Sequence, residues 1–331
     1  MDLQLIGDGA DRLVTVDIGT RGFVRHLYDA ARKLTQQPLC LEAATKLVDA
    51  VRADDVVMIT TGFPIFPSLK QETDGPVGTS VLARIVSYGL GALPIVLTEE
   101  KAIPIVKASC NSIGLNISDV GEVRKEAHST AILAFPIDEG QALDESKELL
   151  DEFNPVALLA IEKAGRNGMG VYHSAYGSDI SSAVAKIDLL VEEAETRKIP
   201  TIGIGDVGNE VGMGNIVEKV RSHIPFALEC KCPCQGGTSS TTKVDILTVA
   251  SVSNWGAYAI EACVSAMLGN LDTMHTGEME KRCIRACVAA GAIDAMNKTA
   301  IPRVDGISEE INADIVEILR AIVASELSRD S

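Results

Sequence analysis

Four stretches of the chain put polar side chains directly after short aliphatic runs, and three of them carry carboxylates. TGFPIFPSLKQETDGPVG (61–78) holds Glu72 and Asp74 just ahead of a helical pattern, and EKAGRNGMGVYHSAYGSDIS (162–181) holds Glu162, Arg166 and Asp179. GDVGNEVGMGN (205–215) holds Asp206, Asn209 and Glu210, and SVSNWG (251–256) holds Ser253 and Asn254. Carboxylates act as acid and base when their surroundings push their pKa values apart. Loops of this kind converging on one sheet edge would line a pocket for a small polar molecule. Each residue also has a plainer use. Asp74 or Asp179 ahead of a helix serves as a cap or dipole partner, and Arg166 serves as the partner of a surface carboxylate.

The elements that must position these loops alternate in type. Short β-branched runs at 55–63, 93–98, 130–136, 156–162, 199–205 and 244–251 predict strands. Helical periodicity at 23–34, 41–52, 81–91, 99–113, 141–153 and 181–198 fills the intervals, followed by 215–223, 255–268, 277–291 and 308–327, with Asn215 as an N-cap. This alternation predicts an α/β fold: a mostly parallel sheet flanked by helices, with Rossmann-like layering, as one domain over 1–331. Ligands in such sheets sit beyond the carboxyl ends of the strands, where the four polar loops fall. Trp255 opens an apolar helix as a core residue. The Ala-rich helix 284–296 is either core or the interface of a homo-oligomer.

One loop poses a sharper question. Gly203, Gly205 and Gly208 in GIGDVGNEVGMGN spell G-x-G-x-x-G after a strand, and Glu229 follows at about the distance of a ribose-binding acid. A dinucleotide site needs a helix starting at the glycines, so that its N-terminus meets the pyrophosphate. Here the helical pattern resumes only near Asn215, and Asp206 and Glu210 within the loop would repel a diphosphate. Such a loop suits a ligand with an ammonium, a carboxylate or both, or a divalent metal held by oxygens.

Composition narrows the partners. The 331 residues carry a net charge of −16 with no basic cluster, which argues against nucleic acid and against an anionic membrane surface. No apolar run reaches membrane-spanning length, and the acidic N-terminus lacks the features of a leader, so a cytoplasmic location is expected. Neither G-x-S-x-G nor G-x-x-x-x-G-K-[ST] occurs, and the five histidines fall into no metal-binding spacing. Most of the eight cysteines lie on apolar stretches as reduced core residues. CKCPC (230–234) stands apart. Its alternate cysteines point the same way, but zinc sites draw C-x₂₋₄-C pairs from two places and no second pair with a nearby histidine is evident. The segment is expected to be a strand end entering the loop QGGTSSTT.

TTGFP (60–64), ETDGPVG (72–78), AIEKAGR (160–166), GIGDVGNEVGMG (203–214) and SVSNWGAYA (251–259) occur in one order and spacing. In these the chain resembles the D-glutamate cyclase family, specifically its C-terminal catalytic-type domain, from about residue 14 onward. VDG (304–306) is also similar. Two departures stand out: Val207, where the family has glycine, and the elaborated loop CKCPCQGGTSSTT.

The resemblance implies a carbon–oxygen lyase that converts D-glutamate to 5-oxo-D-proline and water. For that chemistry Asp206 and Glu210 are the first choice for holding and deprotonating the ammonium, and Glu72 and Asp74 are the second pair, one of them the acid. Backbone N–H groups of 205–214 (Gly205 and Gly208 among them), with Asn209, would form an oxyanion hole. Ser253 and Asn254 would bind the α-carboxylate, and Arg21 or Arg166 would anchor either carboxylate. Glu162, Thr61 and Gly62 would complete the substrate pocket. No organic cofactor is implied, while the acidic loops suit Mg²⁺ or Mn²⁺. The partner expected is a small acidic substrate. Two readings keep the site and change the role: a lyase or ring-opening hydrolase acting on another small acid, lactone or lactam, and a non-catalytic binder of small molecules or NAD.

Overall fold

A computed structural model describes residues 2–329. The strands are β1 (Val56–Gly62), β2 (Pro64–Ile65), β3 (Lys70–Gln71), β4 (Leu93–Thr98), β5 (Asn116–Ile117), β6 (Ser129–Ala134), β7 (Ala157–Lys163), β8 (Thr201–Gly205), β9 (Ile246–Val249), β10 (Arg303–Val304) and β11 (Ile307–Ser308). The α-helices are α1 (Leu3–Val14), α2 (Val24–Arg32), α3 (Leu39–Ala50), α4 (Pro76–Arg84), α5 (Ile103–Ser112), α6 (Glu139–Phe153), α7 (Ile187–Thr196), α8 (Val217–His223), α9 (Ser253–Met267), α10 (Gly277–Ala289) and α11 (Glu309–Leu327). Seven strands form one parallel sheet in the order β5-β6-β4-β1-β7-β8-β9. Ile59 of the central strand lies between Val96 and Leu159, so the middle of the sheet is aliphatic on both flanks. Two short hairpins, β2–β3 and β10–β11, stand outside it.

The layering is α/β and Rossmann-like. One face of the sheet packs against α3, α4, α5 and α9, with α1, α10 and α11 packed against those helices, and the other face against α6 and α7. A smaller cluster joins α2 and α8 to β9. Helix α9 is buried from Ser253 to Ala266, Trp255 included, which explains its small-residue sequence. A Cβ on its Gly256 would come within 2.6 Å of Ile204 Cγ2, so glycine permits the close approach to the sheet. Helix α10 turns Cys283, Ile284 and Cys287 inward, which places that part of the Ala-rich stretch in the core. No helix among the described residues is long and apolar enough to cross a membrane.

Three expectations are corrected. The helix expected over 181–198 begins only at Ile187, because Ala185 N–H is spent on the buried Glu99 carboxylate at 2.9 Å. Asn215 does not cap α8. Its side chain donates to Val244 O at 2.8 Å and accepts from Val244 N at 3.1 Å, pairing with that backbone as a strand would. Helix α1 was not expected; Asp2 caps it by accepting from Gln4 N and Leu5 N.

A buried polar cluster ties α9 to α10. Glu261 contacts His275 Nδ1 at 2.5 Å, Glu280 lies 3.5 Å from its Nε2, and Tyr258 OH donates to Glu280 at 2.7 Å. Burial opposes charge on His275, but the charge and hydrogen bonds of Glu261 and Glu280 prevail and hold its pKa at about 9. A histidine pKa raised on folding stabilises fully below the unfolded value of about 6.5 and loses that contribution as pH rises through the folded value. Thermal stability is therefore expected to fall between pH 6.5 and 9, and His275→Gln to flatten that part of the curve. An unchanged pH profile in the variant would contradict the assignment.

Candidate active site

The sheet changes direction at β1. The chain runs outward from β1 to β4 and β6, then returns to add β7, β8 and β9 on the other side. Ligands bind at such switch points, beyond the strand carboxyl ends. A cavity of about 510 Å³ opens there. Its acidic floor is Glu72, Glu162, Asp206 and Asp305 with Arg21, and its walls include Phe23, Phe63, Phe66, Tyr176, Val207 and Phe226.

Each floor residue is delivered by a distinct local device. Glu162 stands near the end of β7 with a positive φ of 41°, beside a register irregularity in the β1–β7 pairing. A non-glycine residue held in that region costs energy that the surrounding structure must supply, and such strain gathers at functional sites. Asp206 follows β8 directly. Glu72 is fixed through its backbone, with its N–H on Phe63 O at 3.2 Å. Asp305 and Gly306, with φ of 50° and 79°, form the two-residue turn of the β10–β11 hairpin. Arg21 is oriented by a loop whose Asp17 carboxylate accepts from Arg21 N and Gly22 N.

The charges do not balance. Arg21 Nη2 meets Asp206 at 2.9 Å and Asp305 at 3.3 Å, and also binds Ser251 O. Against this guanidinium stand the cavity's four carboxyls and the adjacent Asp74 and Glu210. Among the described residues the Glu72 carboxyl makes no hydrogen bond or ion pair. Burial, then the charges of Asp305 and Asp74, push its pKa well up. Glu162 is raised by burial and then by Asp206 and Glu210, and its Oε2 accepts from Ser253 Oγ at 2.5 Å. Asp206 is raised by burial and by Glu210 and Asp74, against the pull of Arg21. Asp305 is raised to about 7 by burial and Asp206, again against Arg21. Near neutral pH the floor thus keeps protons on some of its crowded carboxyls beside the guanidinium, and a bound cation would favour their ionised forms.

That imbalance has a measurable cost. A carboxyl whose pKa rises on folding stabilises fully below its unfolded value, near 4, and loses that contribution as pH rises through its folded value. For Asp305 the window ends at about 7. Asp305→Asn is therefore expected to melt higher than the parent at pH 8, with the advantage vanishing toward pH 4. Equal melting temperatures at pH 8 would refute it.

The remaining expected site residues take other places. Glu210 does not face the cavity. Its oxygens accept from Asp206 N, Val207 N and Gly208 N at 3.4, 2.9 and 2.6 Å. The glycine loop therefore cradles an anion, but the anion is the chain's own Glu210. This closes the loop to a pyrophosphate and removes the basis for NAD; α8, moreover, starts only at Val217. The N–H groups of 211–214 are likewise bonded to backbone carbonyls, so the N–H groups of 206–208 and 211–214 are already engaged within the chain and are not free to form the expected oxyanion hole. Gly205 and Gly208 are packing positions: a Cβ would strike Met213 and Val220 respectively.

Asn209 lines the cavity, but its Nδ2 is committed to His173 O at 2.8 Å. Asp74 lies behind the floor, accepting from Ser253 N, Asn254 N and Gly75 N at 2.9, 2.8 and 3.0 Å. Burial and Asp305 raise its pKa to about 7 against those three N–H groups. Ser253 and Asn254 therefore hold carboxylates and the α4 entrance in place and do not line the cavity. Asn254 Oδ1 accepts from Gly75 N and Gly78 N. Arg166 turns outward to Glu192 at 2.5 Å, the plainer reading. Asp179 accepts from Ser181 N in a local turn. Thr61 and Gly62 lie beneath the floor. A Cβ on Gly62 would collide with Glu99, which pairs there with Lys163.

Asp305 was not among the expected site residues. The dipeptide Asp305-Gly306, a two-residue hairpin signal, marked its turn but not its partner. CKCPC was expected to end a strand; no strand forms at 230–234, and His173 lies against its sulfurs.

A doubly wound α/β protein with an acid-floored cavity at its switch point is thereby defined. The chain belongs to the D-glutamate cyclase-like family: the family described as "D-glutamate cyclase-like, C-terminal" matches residues 11–320. It is also similar to "D-glutamate cyclase, mitochondrial" from Homo sapiens, 31% identical over 269 residues. That stretch is 78% of this chain and 38% of the human protein, so the chain matches well under half of that relative's length.

Proposed function

We propose that the cavity binds D-glutamate and closes its α-amine onto the γ-carboxyl carbon, releasing water and 5-oxo-D-proline. The observation that carries this is the unpaired, buried Glu72 carboxyl on the same floor as Arg21 and its carboxylate partners. The substrate brings one ammonium and two carboxylates. Arg21 suits one carboxylate, and the excess acidic floor suits the ammonium.

The chemistry then follows proton by proton. The floor carboxyl that the Arg21 guanidinium pulls toward its charged form, Asp206, takes a proton from the ammonium. The amine forms the C–N bond. Glu72, held as the neutral acid by burial and its acidic neighbours, gives its proton to the departing oxygen as the C–O bond breaks. The carboxyl protonated first then passes its proton to the same oxygen, which leaves as water, and the second proton lost from nitrogen restores Glu72, so the floor ends as it began. Holding amine and carboxyl in contact supplies much of the acceleration.

The family relation and the human relative support this substrate. The residues that would hold Mg²⁺ or Mn²⁺ are Asp206 with Asp74 and Asp305, or with Glu162 and Glu210; in each set the oxygens lie within 4.8 Å of one another. Arg21 would give up part of its hold on Asp206. Such an ion polarises a carboxylate toward attack.

Purified protein is incubated with D-glutamate, with and without Mn²⁺, and 5-oxoproline is followed by mass spectrometry, with L-glutamate as control. Product from the D form supports the proposal, and dependence on Mn²⁺ supports the ion. No product under any condition sinks the substrate assignment. The cavity, at about 510 Å³ with aromatic walls, has more room than glutamate fills. This favours, as a second reading, ring opening of a larger lactam or lactone by the same groups, which the same assay with such compounds would detect.

A further inference from the structure

The CKCPC loop (230–234) brings together a second cluster of ligand-type side chains, apart from the acidic cavity. Cys230, Cys232 and Cys234 gather their sulfurs around His173 Nε2, contributed from the loop after β7 by a residue 1% exposed. Cys230 Sγ lies 3.5 Å from Cys232 Sγ and 3.4 Å from Cys234 Sγ. His173 Nε2 lies 3.2 Å from Cys232 Sγ and 3.5 Å from Cys234 Sγ. All four ligand atoms fall within 4.8 Å of one another.

We propose that these four residues bind one zinc-class divalent cation in a closed, structural Cys₃His site. These four edges lie within about 0.4 Å of those of a zinc coordination tetrahedron. Zinc bonds of about 2.3 Å to sulfur and 2.0–2.1 Å to nitrogen require S···S edges of about 3.8 Å and S···N edges of about 3.5 Å. Free thiols attract one another only weakly, so three sulfurs and an imidazole meeting at one point need a common partner. None of the cysteines is disulfide-linked.

The surroundings favour bound thiolate. Gly236 N and Asn167 Nδ2 point at Cys234 Sγ from 3.4 and 3.6 Å. Asn167 is itself fixed, accepting from Met169 N and Val171 N and donating to Gly237 O. Donors of this kind orient metal-ligating sulfurs. The ligand set selects a soft or borderline cation over Mg²⁺ or Mn²⁺. Four protein ligands leave no open position, so the ion's work is mechanical. Binding exchanges thiol protons for the cation.

What the ion clamps gives the site its purpose. His173 O accepts Asn209 Nδ2 from the acidic loop, and Gly177 O accepts from Lys231 N at 3.0 Å. The intervening segment supplies Ser174 and Tyr176 to the cavity wall, and Ser178 adjoins it there. The ion would staple that wall to the 230–237 loop.

The test uses the untagged full chain, expressed with zinc present and purified under reducing conditions. Elemental analysis is expected to find about one zinc per chain. Cobalt(II) replacing it should give thiolate-to-cobalt charge-transfer absorption and the intense visible bands of a tetrahedral ion. The Cys232→Ser/Cys234→Ser variant should lose both signals. His173→Cys, which keeps four soft ligands, should retain the ion, which separates lost coordination from lost folding. A chelator should lower the melting temperature of the parent but not of the double variant. A metal-free parent with no cobalt spectrum overturns the proposal. So does a disulfide among the three cysteines in the reduced protein, or full zinc retention by the double variant.

Discussion

Under the proposed cyclisation, Glu72→Gln is expected to lower turnover of D-glutamate by about 10²–10⁴-fold, the usual worth of a positioned general acid. The amide keeps the shape of the side chain and removes its transferable proton. Because the Glu72 carboxyl makes no hydrogen bond among the described residues and burial already favours its neutral form, the variant is expected to fold and melt at least as high as the parent. The loss should fall on turnover more than on KM, since Arg21 and the remaining carboxyls still hold the substrate. Steady-state kinetics with a melting curve on the same preparation decides the matter. Turnover near that of the parent removes Glu72 from the proton relay.

The largest expected effect on stability comes from beneath the floor. Lys163 is fully buried, pairs with the buried Glu99, and also donates to Gly62 O at 3.3 Å. The pair links the ends of β1, β4 and β7, the strands that bring Gly62, Glu99 and Glu162 together. Lys163→Met strands the Glu99 charge away from water, and breaking a buried pair in this way costs about 3–5 kcal/mol. Adding Glu99→Gln should recover part of that loss, because the stranded charge is then gone. Urea denaturation of the two single variants and the double closes the cycle. Additive losses would mean that the pair does not act as a unit. A Glu162 left without its rigid base should also depress activity in whatever folded Lys163→Met protein remains.

The two kinds of residue differ in how far the sequence reveals them. Strand and helix alternation is a local pattern, so the sheet, its layering and the placement of polar loops at strand ends follow from periodicity. The motifs around Asp206, Glu72 and Glu162 marked the region of the cavity. Their roles were another matter. Glu210 reads as a base until its oxygens are seen to take three N–H groups of its own loop. Ser253 and Asn254 read as substrate ligands until they are found holding Asp74 and Glu162. Arg166 stands in a motif yet points to Glu192 on the surface. In each case the side chain satisfies a polar atom supplied by another segment, and the direction of a side chain is a property of packing.

The sequence by itself determined the fold class, the family and the set of acidic loops, because each is written in spacing along the chain. Only the tertiary structure decided which acids share the cavity. It brought Arg21 and Asp305, 284 positions apart, onto one carboxylate cluster. It also carried His173 to three cysteines nearly 60 residues away. Contacts of that separation arise from the order in which strands are laid into the sheet, and no local pattern encodes them.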